Sequence, residues 1–146
     1  MNNIIIRFDG QYDFLSNFAV ADVVLAGITY PTVENAFQAA KTLSVEARTP
    51  FTQCSPGYAK KLGRQVSLRG DWELIKDEVM FELLSQKFAA GTVMAERLLS
   101  TGTAYLCEGN VWHDNHFGAC TCDKCLYTEH QNVLGTLLMR IRKSLV

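Results

Sequence analysis

The chain has 146 residues, 48% of them hydrophobic and 20% charged, which is enough to bury a core without staples and too apolar for intrinsic disorder. A formal net charge of −1 excludes a protein that coats nucleic acid by bulk charge, although a basic patch on one face would still be compatible with such a substrate. The N-terminal apolar run, Ile4 to Ile6, is too short for a signal segment, and nothing approaches the roughly 18 apolar residues of a membrane span.

Five cysteines, an odd count in a chain without a visible signal segment, predict reduced thiols or metal ligands in a cytoplasmic protein with no membrane partner. The whole chain, 1–146, is expected to form a single domain. The expected class is α+β, mainly helical, with a small N-terminal antiparallel sheet.

In chain order, residues 4–8 form a β-branched run closed by Asp9-Gly10. Residues 23–25 and 28–30 flank Ala26-Gly27 as a hairpin. Between them, Ser16 and Asn17 interrupt the aromatic frame FLSNF, which suits either a pocket wall or a loop that satisfies its own backbone.

Thr32 is placed to cap a helix over about 33–43, and Ser55-Pro56 starts another that ends near Gly63. Asp71 caps a long third helix, with Trp72, Ile75, Val79, Leu83 and Leu84 facing the core and Gly91 as its stop. A fourth spans 92–100. Residues 105–108 read as a last strand, and 132–145 as a fifth helix with Val133, Leu134, Leu137, Leu138 and Ile141 inward. The stretch 109–130 has no periodicity, and a loop of that length is usually functional or tied down.

On the first helix, Val33, Ala36, Phe37, Ala40 and Leu43 share one arc. Glu34, Gln38 and Lys41, at i, i+4 and i+7, form a column beside it. A carboxylate there can move a proton or steady an oxocarbenium ion, and a lysine can stabilise an oxyanion or attack as an amine. The same three residues also make an ordinary solvated stripe, with Glu34 favoured by the helix dipole.

The string YPTVENAFQAAK (30–41) resembles the signature of the NADAR, or YbiA-like, N-glycosidase family, which runs Tyr-Pro-Thr/Ser-x-Glu-His-x-x-Gln-x-x-Lys. FLSNF (14–18) lies upstream, and the other family blocks follow in order: AKKLGR (59–64), Asp71-Trp72, Val79-Met80, Lys87-Phe88, LLSTG (98–102), LCE (106–108), WHDNHFG (112–118) and NVLGTLLMRIR (132–142). Asn35 stands where the family often has His, so it is given no catalytic duty. Phe117 replaces a usual Trp, and His130 a usual Gly.

The resemblance implies cleavage of a ribose–nitrogen bond with no cofactor for catalysis. Two substrate classes follow from it: ADP-ribose attached to guanine in nucleic acid or nucleotides, and phosphorylated ribosylamino-pyrimidinones of early riboflavin synthesis. Carried over by position, Glu34 is the acid/base and Lys41 an electrostatic partner or Schiff-base amine. Asp114 grips ribose hydroxyls or orients water, and Trp72 and Phe117 sandwich the base. Arg64 meets phosphate through its bidentate guanidinium. Without the family, Trp72 reads equally as a core aromatic and Asp114 as a turn residue. A module that binds ADP-ribose without hydrolysing it is the competing class; the presence of Glu34, Lys41 and Asp114 together favours the enzyme, since a pure reader would not need the acid/base set.

Cys120, Cys122 and Cys125 stand within six residues of one another, near His113, His116 and His130. Three thiolates and one imidazole would make a structural zinc shell, but the spacing selects no fourth ligand. Free thiols, or a small zinc-clamped nucleic-acid module, are the other readings; the near-neutral charge weighs against the second.

Overall fold

The structure is a computed structural model that describes residues 3–146. Its chain divides into two compact units: Asn17–Lys87, and the remainder made of the described residues up to Ser16 together with Phe88–Val146.

The central unit opens with the expected hairpin, β2 (Val20–Leu25) and β3 (Ile28–Thr32), paired antiparallel with Leu25 opposite Ile28. Ala26 and Gly27 have φ of 49° and 81°, the two positive values that a type I′ turn requires. A register shift lies between Val20 and Val23. Gln86 closes the free side of β2: its amide accepts from Val24 N at 2.7 Å and donates to Val24 O at 2.8 Å.

Next come α1 (Val33–Ala39), the short α2 (Val45–Arg48), α3 (Pro56–Gly63) and α4 (Trp72–Lys87). Thr32 and Ser55 start their helices as the sequence proposes, Thr32 accepting from Asn35 N at 3.0 Å and Ser55 from Tyr58 N at 3.2 Å, whereas the Asp71 side chain does not cap α4. Asp71 starts α4 through its carbonyl, which accepts from Leu74 and Ile75, while its carboxylate is held by both ends of the Arg69 fork. The buried face of α4 is Trp72, Met80, Leu83, Leu84 and Lys87; Ile75 and Val79 lie at its margin.

Two expectations for this unit need correction. Helix α1 stops at Ala39, not near Leu43, and Leu43 is exposed. Lys41 N and Thr42 N bond to carbonyls three residues back, tightening the last turn, and Arg69 N then donates to Lys41 O at 2.8 Å. α4 ends at Lys87, before Gly91.

The second unit holds β1 (Ile4–Ile5), a 3-10 helix over Gly10–Leu15, α5 (Val93–Leu99), β4 (Tyr105–Leu106), β5 (Gly109–Asn110), β6 (Ala119–Cys120) and α6 (Val133–Ser144). β1 does not join the N-terminal antiparallel sheet. It pairs parallel with β4, Ile4 opposite Tyr105 and Ile5 opposite Leu106. Leu98, Leu106, Leu134 and Leu138 have no exposed surface and form the core of this unit.

The junction of β4 with α6 depends on one side chain. Asn132 precedes the helix in the left-handed region, φ 47°. Its amide donates to Leu106 O at 2.9 Å and accepts from Glu108 N at 3.1 Å. Gly135 lets the helix approach: a Cβ there would lie 2.0 Å from Leu106 O.

Among the described residues, no helix is long and apolar enough to cross a membrane.

Candidate active site and metal centre

In the central unit the polar column on α1 is not a solvated stripe. All seven residues of α1 are buried, with Glu34 7%, Asn35 0% and Gln38 6% exposed. A buried carboxylate is costly unless hydrogen-bonded, and Gln38 Nε2 donates to Glu34 Oε1 at 2.9 Å. Gly63 makes room for that amide: a Cβ there would meet Gln38 Oε1 at 1.9 Å. Above the helix start, Asn17 O accepts from Glu34 N at 3.1 Å, which joins FLSNF to the carboxylate residue. Asn35, where the family often has His, is consumed by structure: its amide donates to Phe51 O and Cys54 O, and Thr32 Oγ1 donates to its Oδ1 at 2.6 Å.

Three buried polar atoms in this unit have no hydrogen-bond partner among the described residues: Asn17 Oδ1, Gln38 Oε1 and Tyr30 OH. Native proteins rarely leave such atoms unpaired. Two of the three belong to residues bonded directly to Glu34.

Lys41 lies just past the helix, half-buried. Burial lowers its ammonium below the ordinary lysine range; Glu34 opposes that shift, while Arg64, Lys60 and Lys76 add to it. Three other cations therefore act on Lys41 here, of which Arg64 is exposed and Lys60 and Lys76 are half-buried. Trp72 is buried with its ring 5.0 Å from that of Phe37, so it backs the helix that bears Glu34. Lys87, within the Lys87-Phe88 block, is buried at the end of α4.

Ser16, Asp114, Phe117, Cys120, Cys122 and Cys125 belong to the other unit. Ser16 ends the 3-10 helix, its N–H donating to Asp13 O at 3.0 Å. Asp114 Oδ1 accepts from His116 N at 3.2 Å and Phe117 N at 3.0 Å, so its carboxylate is positioned by the loop backbone. Phe117 is half-buried and meets the His116 ring edge-on at 4.6 Å.

The stretch 109–130 is tied down, as its length suggests it should be. β5 and β6 pair parallel, Gly109 opposite Ala119 and Asn110 opposite Cys120. Buried Asn110 accepts from Trp112 N and Asp114 N, both at 3.2 Å, and donates to Asp114 O at 2.9 Å.

The ligating atoms of His113, Cys120, Cys122 and Cys125 lie within 4.8 Å of one another, a group that could hold a metal ion. Of the three histidines near the thiols, His113 is the one selected; His130 Nε2 instead lies 3.2 Å from Cys125 O. Burial raises the Cys120 thiol, but hydrogen bonds from Cys122 and the His113 backbone outweigh it and bring it to about 6.

The NADAR domain family model matches residues 7–146. The chain belongs to the NADAR family. It is 34% identical to N-glycosidase YbiA of Escherichia coli over 99% of this chain and 91% of that protein. The solved NMR structure of E. coli YbiA superposes with a TM-score of 0.79, covering 99% of this chain and 86% of that one. It is also 29% identical to a riboflavin biosynthesis protein of Vibrio vulnificus, over 94% of this chain but 36% of the longer relative. The fold class expected from the sequence, helical with a small antiparallel sheet, is that of this family.

Proposed function

We propose that this NADAR protein is an N-glycosidase that hydrolyses a ribose–nitrogen bond, with Glu34 as the acid/base at the anomeric carbon. The observation that carries the reading is the burial of Glu34 on a helix with no solvated face, next to two amide oxygens that lack partners. Amide oxygens of Asn17 and Gln38 suit ribose hydroxyls as donors, and a desolvated carboxylate is worth more to a developing positive charge than an exposed one.

In the reaction, water adds to C1′ as the carbon–nitrogen bond breaks, and the proton removed from water by Glu34 is returned to the leaving nitrogen. Lys41 either balances charge beside Glu34 or, as a free amine, adds to ring-opened ribose. Arg64, with Lys41, Lys60 and Lys76, supplies the positive field for a phosphate or pyrophosphate. With Trp72 buried, stacking on the base falls first to Phe117, and Asp114, held rigid by its loop, binds ribose hydroxyls or the water. No cofactor takes part in catalysis.

ADP-ribose on guanine is the first substrate, because its pyrophosphate matches a field from several cations. The relationship to a protein named for riboflavin biosynthesis favours a second, the ribosylamino-pyrimidinone phosphates. Mass spectrometry after incubation with ADP-ribosylated guanosine, and separately with the pyrimidinone phosphates, tests both. Release of free guanosine confirms the first and release of ribose 5-phosphate the second. Tight binding without either product would make the protein a binding module and overturn the enzyme reading.

A further inference from the structure

We propose that His113 Nδ1 and the thiolates of Cys120, Cys122 and Cys125 form a closed four-ligand site for one structural zinc ion, which locks the loop bearing Asp114 and Phe117. His113 Nδ1 lies 3.3 Å from Cys122 Sγ, 3.4 Å from Cys125 Sγ and 3.8 Å from Cys120 Sγ. A tetrahedral zinc with nitrogen and sulfur ligands at about 2.0 and 2.3 Å separates those atoms by about 3.5 Å. The imidazole nitrogen is therefore already spaced from the three sulfurs as the ion requires, and all four heads lie within 4.8 Å of one another.

The surrounding chain explains why they converge. Cys120 ends β6, and Cys122 and Cys125 bracket a 3-10 turn, Asp123–Cys125. Asn110 Oδ1 accepts the N–H groups on either side of His113, from Trp112 and Asp114, and so holds the imidazole at the apex of the bend. His113 itself sits at φ 69°, a conformation that costs a non-glycine residue energy and persists where something over-determines it. All five cysteines are free thiols. A disulfide would account for two of the converging groups, whereas a metal accounts for all four. Three soft thiolates and an imidazole select zinc over magnesium or calcium, and four protein ligands leave no open position for chemistry on the ion.

The site stands apart from the glycosidase reading, because its occupancy is measured without substrate. Protein prepared without metal-affinity steps is expected to carry about one zinc per chain by elemental analysis. Cobalt replacement should give the intense visible bands of a tetrahedral thiolate centre. A thiol reagent should find three of the five cysteines protected until a chelator is added, with Cys54 and Cys107 as internal references. The double variant Cys120→Ser/Cys125→Ser should lose the zinc, and His113→Ala should release it faster to a chelator.

Zinc at background level without cobalt bands overturns the proposal, as does full zinc retention in the double variant. A disulfide among the three cysteines in freshly reduced, repurified protein also overturns it. If the double variant does not fold, the cobalt spectrum and thiol protection of the wild type decide alone.

Discussion

Helix α1 and the stretch 109–130 both carry residues assigned to chemistry, and they are ordered by opposite means. α1 is a regular helix capped by Thr32 and buried on every side, so hydrophobic packing holds it and its polar groups go in with it. The loop has little regular structure. It is ordered by side chains bonding to backbone, Asn110 and Asp114 above all, and it gathers four heads that could hold a metal ion. In the first case polarity inside a packed element marks a candidate site; in the second, side-chain hydrogen bonds to backbone substitute for a core. A conservative change should therefore damage α1 through chemistry and the loop through order.

The largest effect is expected at Glu34. Glu34→Gln keeps the shape and a hydrogen bond to Gln38 but removes the proton carrier, and turnover should fall by about 10²–10⁴ with binding largely intact. Steady-state rates together with direct titration of substrate check this; wild-type turnover would mean that the buried helix is structural only.

Lys41→Arg keeps a cation but cannot form an imine, because guanidinium stays protonated. If Lys41 balances charge, appreciable activity remains. If it is a nucleophile, the variant is dead, and borohydride traps a sugar adduct on the wild type alone.

For the loop, Asn110→Ala removes the acceptor of two backbone N–H groups and a donor to Asp114 O. Local opening should become easier by about 2–4 kcal/mol, since each buried group left unpaired costs about 1–3. Hydrogen exchange at Trp112 and Asp114 reads it directly. Asn110→Asp, which retains the acceptor, should lose clearly less; equal losses would move the order of the loop elsewhere.

A smaller effect separates the two regions by pH. The ammonium of Lys41 has its pKa lowered in the folded state relative to the ordinary 10.5, so the unfolded chain holds that proton to higher pH. Stability contributed by this group is therefore absent at neutral pH and gained as pH rises through the folded value towards the unfolded one. Lys41→Met should flatten that rise in urea titrations, and an unchanged slope would contradict the shift.

The smallest change expected is a gain. Ala26 at φ 49° occupies a position that favours Asn in a type I′ turn, and Ala26→Asn should raise stability by about 1 kcal/mol without touching turnover.

What could be read from the sequence alone was whatever depends on neighbours a few residues away. Thr32, Ser55 and Thr92 cap their helices as side chains within reach of an N–H three residues on. Ala26-Gly27 turns the hairpin, and the inward face of α6 follows from its period, with Val133 and Leu137 at the margin and Leu134, Leu138 and Ile141 buried. The blocks that place the chain in its family are likewise local strings.

Tertiary structure decided everything that depends on a distant partner. β1 pairs with a strand about a hundred residues away. α1 ends where Arg69, far along the chain, takes up the carbonyl of Lys41. Periodicity reports that Glu34 and Gln38 share a face but not what covers it, because a solvated stripe and a buried one have the same spacing; only packing on all sides made it a candidate site. The choice of His113 over His116 and His130 arises the same way. All three are close in sequence to the thiols, but only the bend held by Asn110 turns one imidazole towards all three sulfurs.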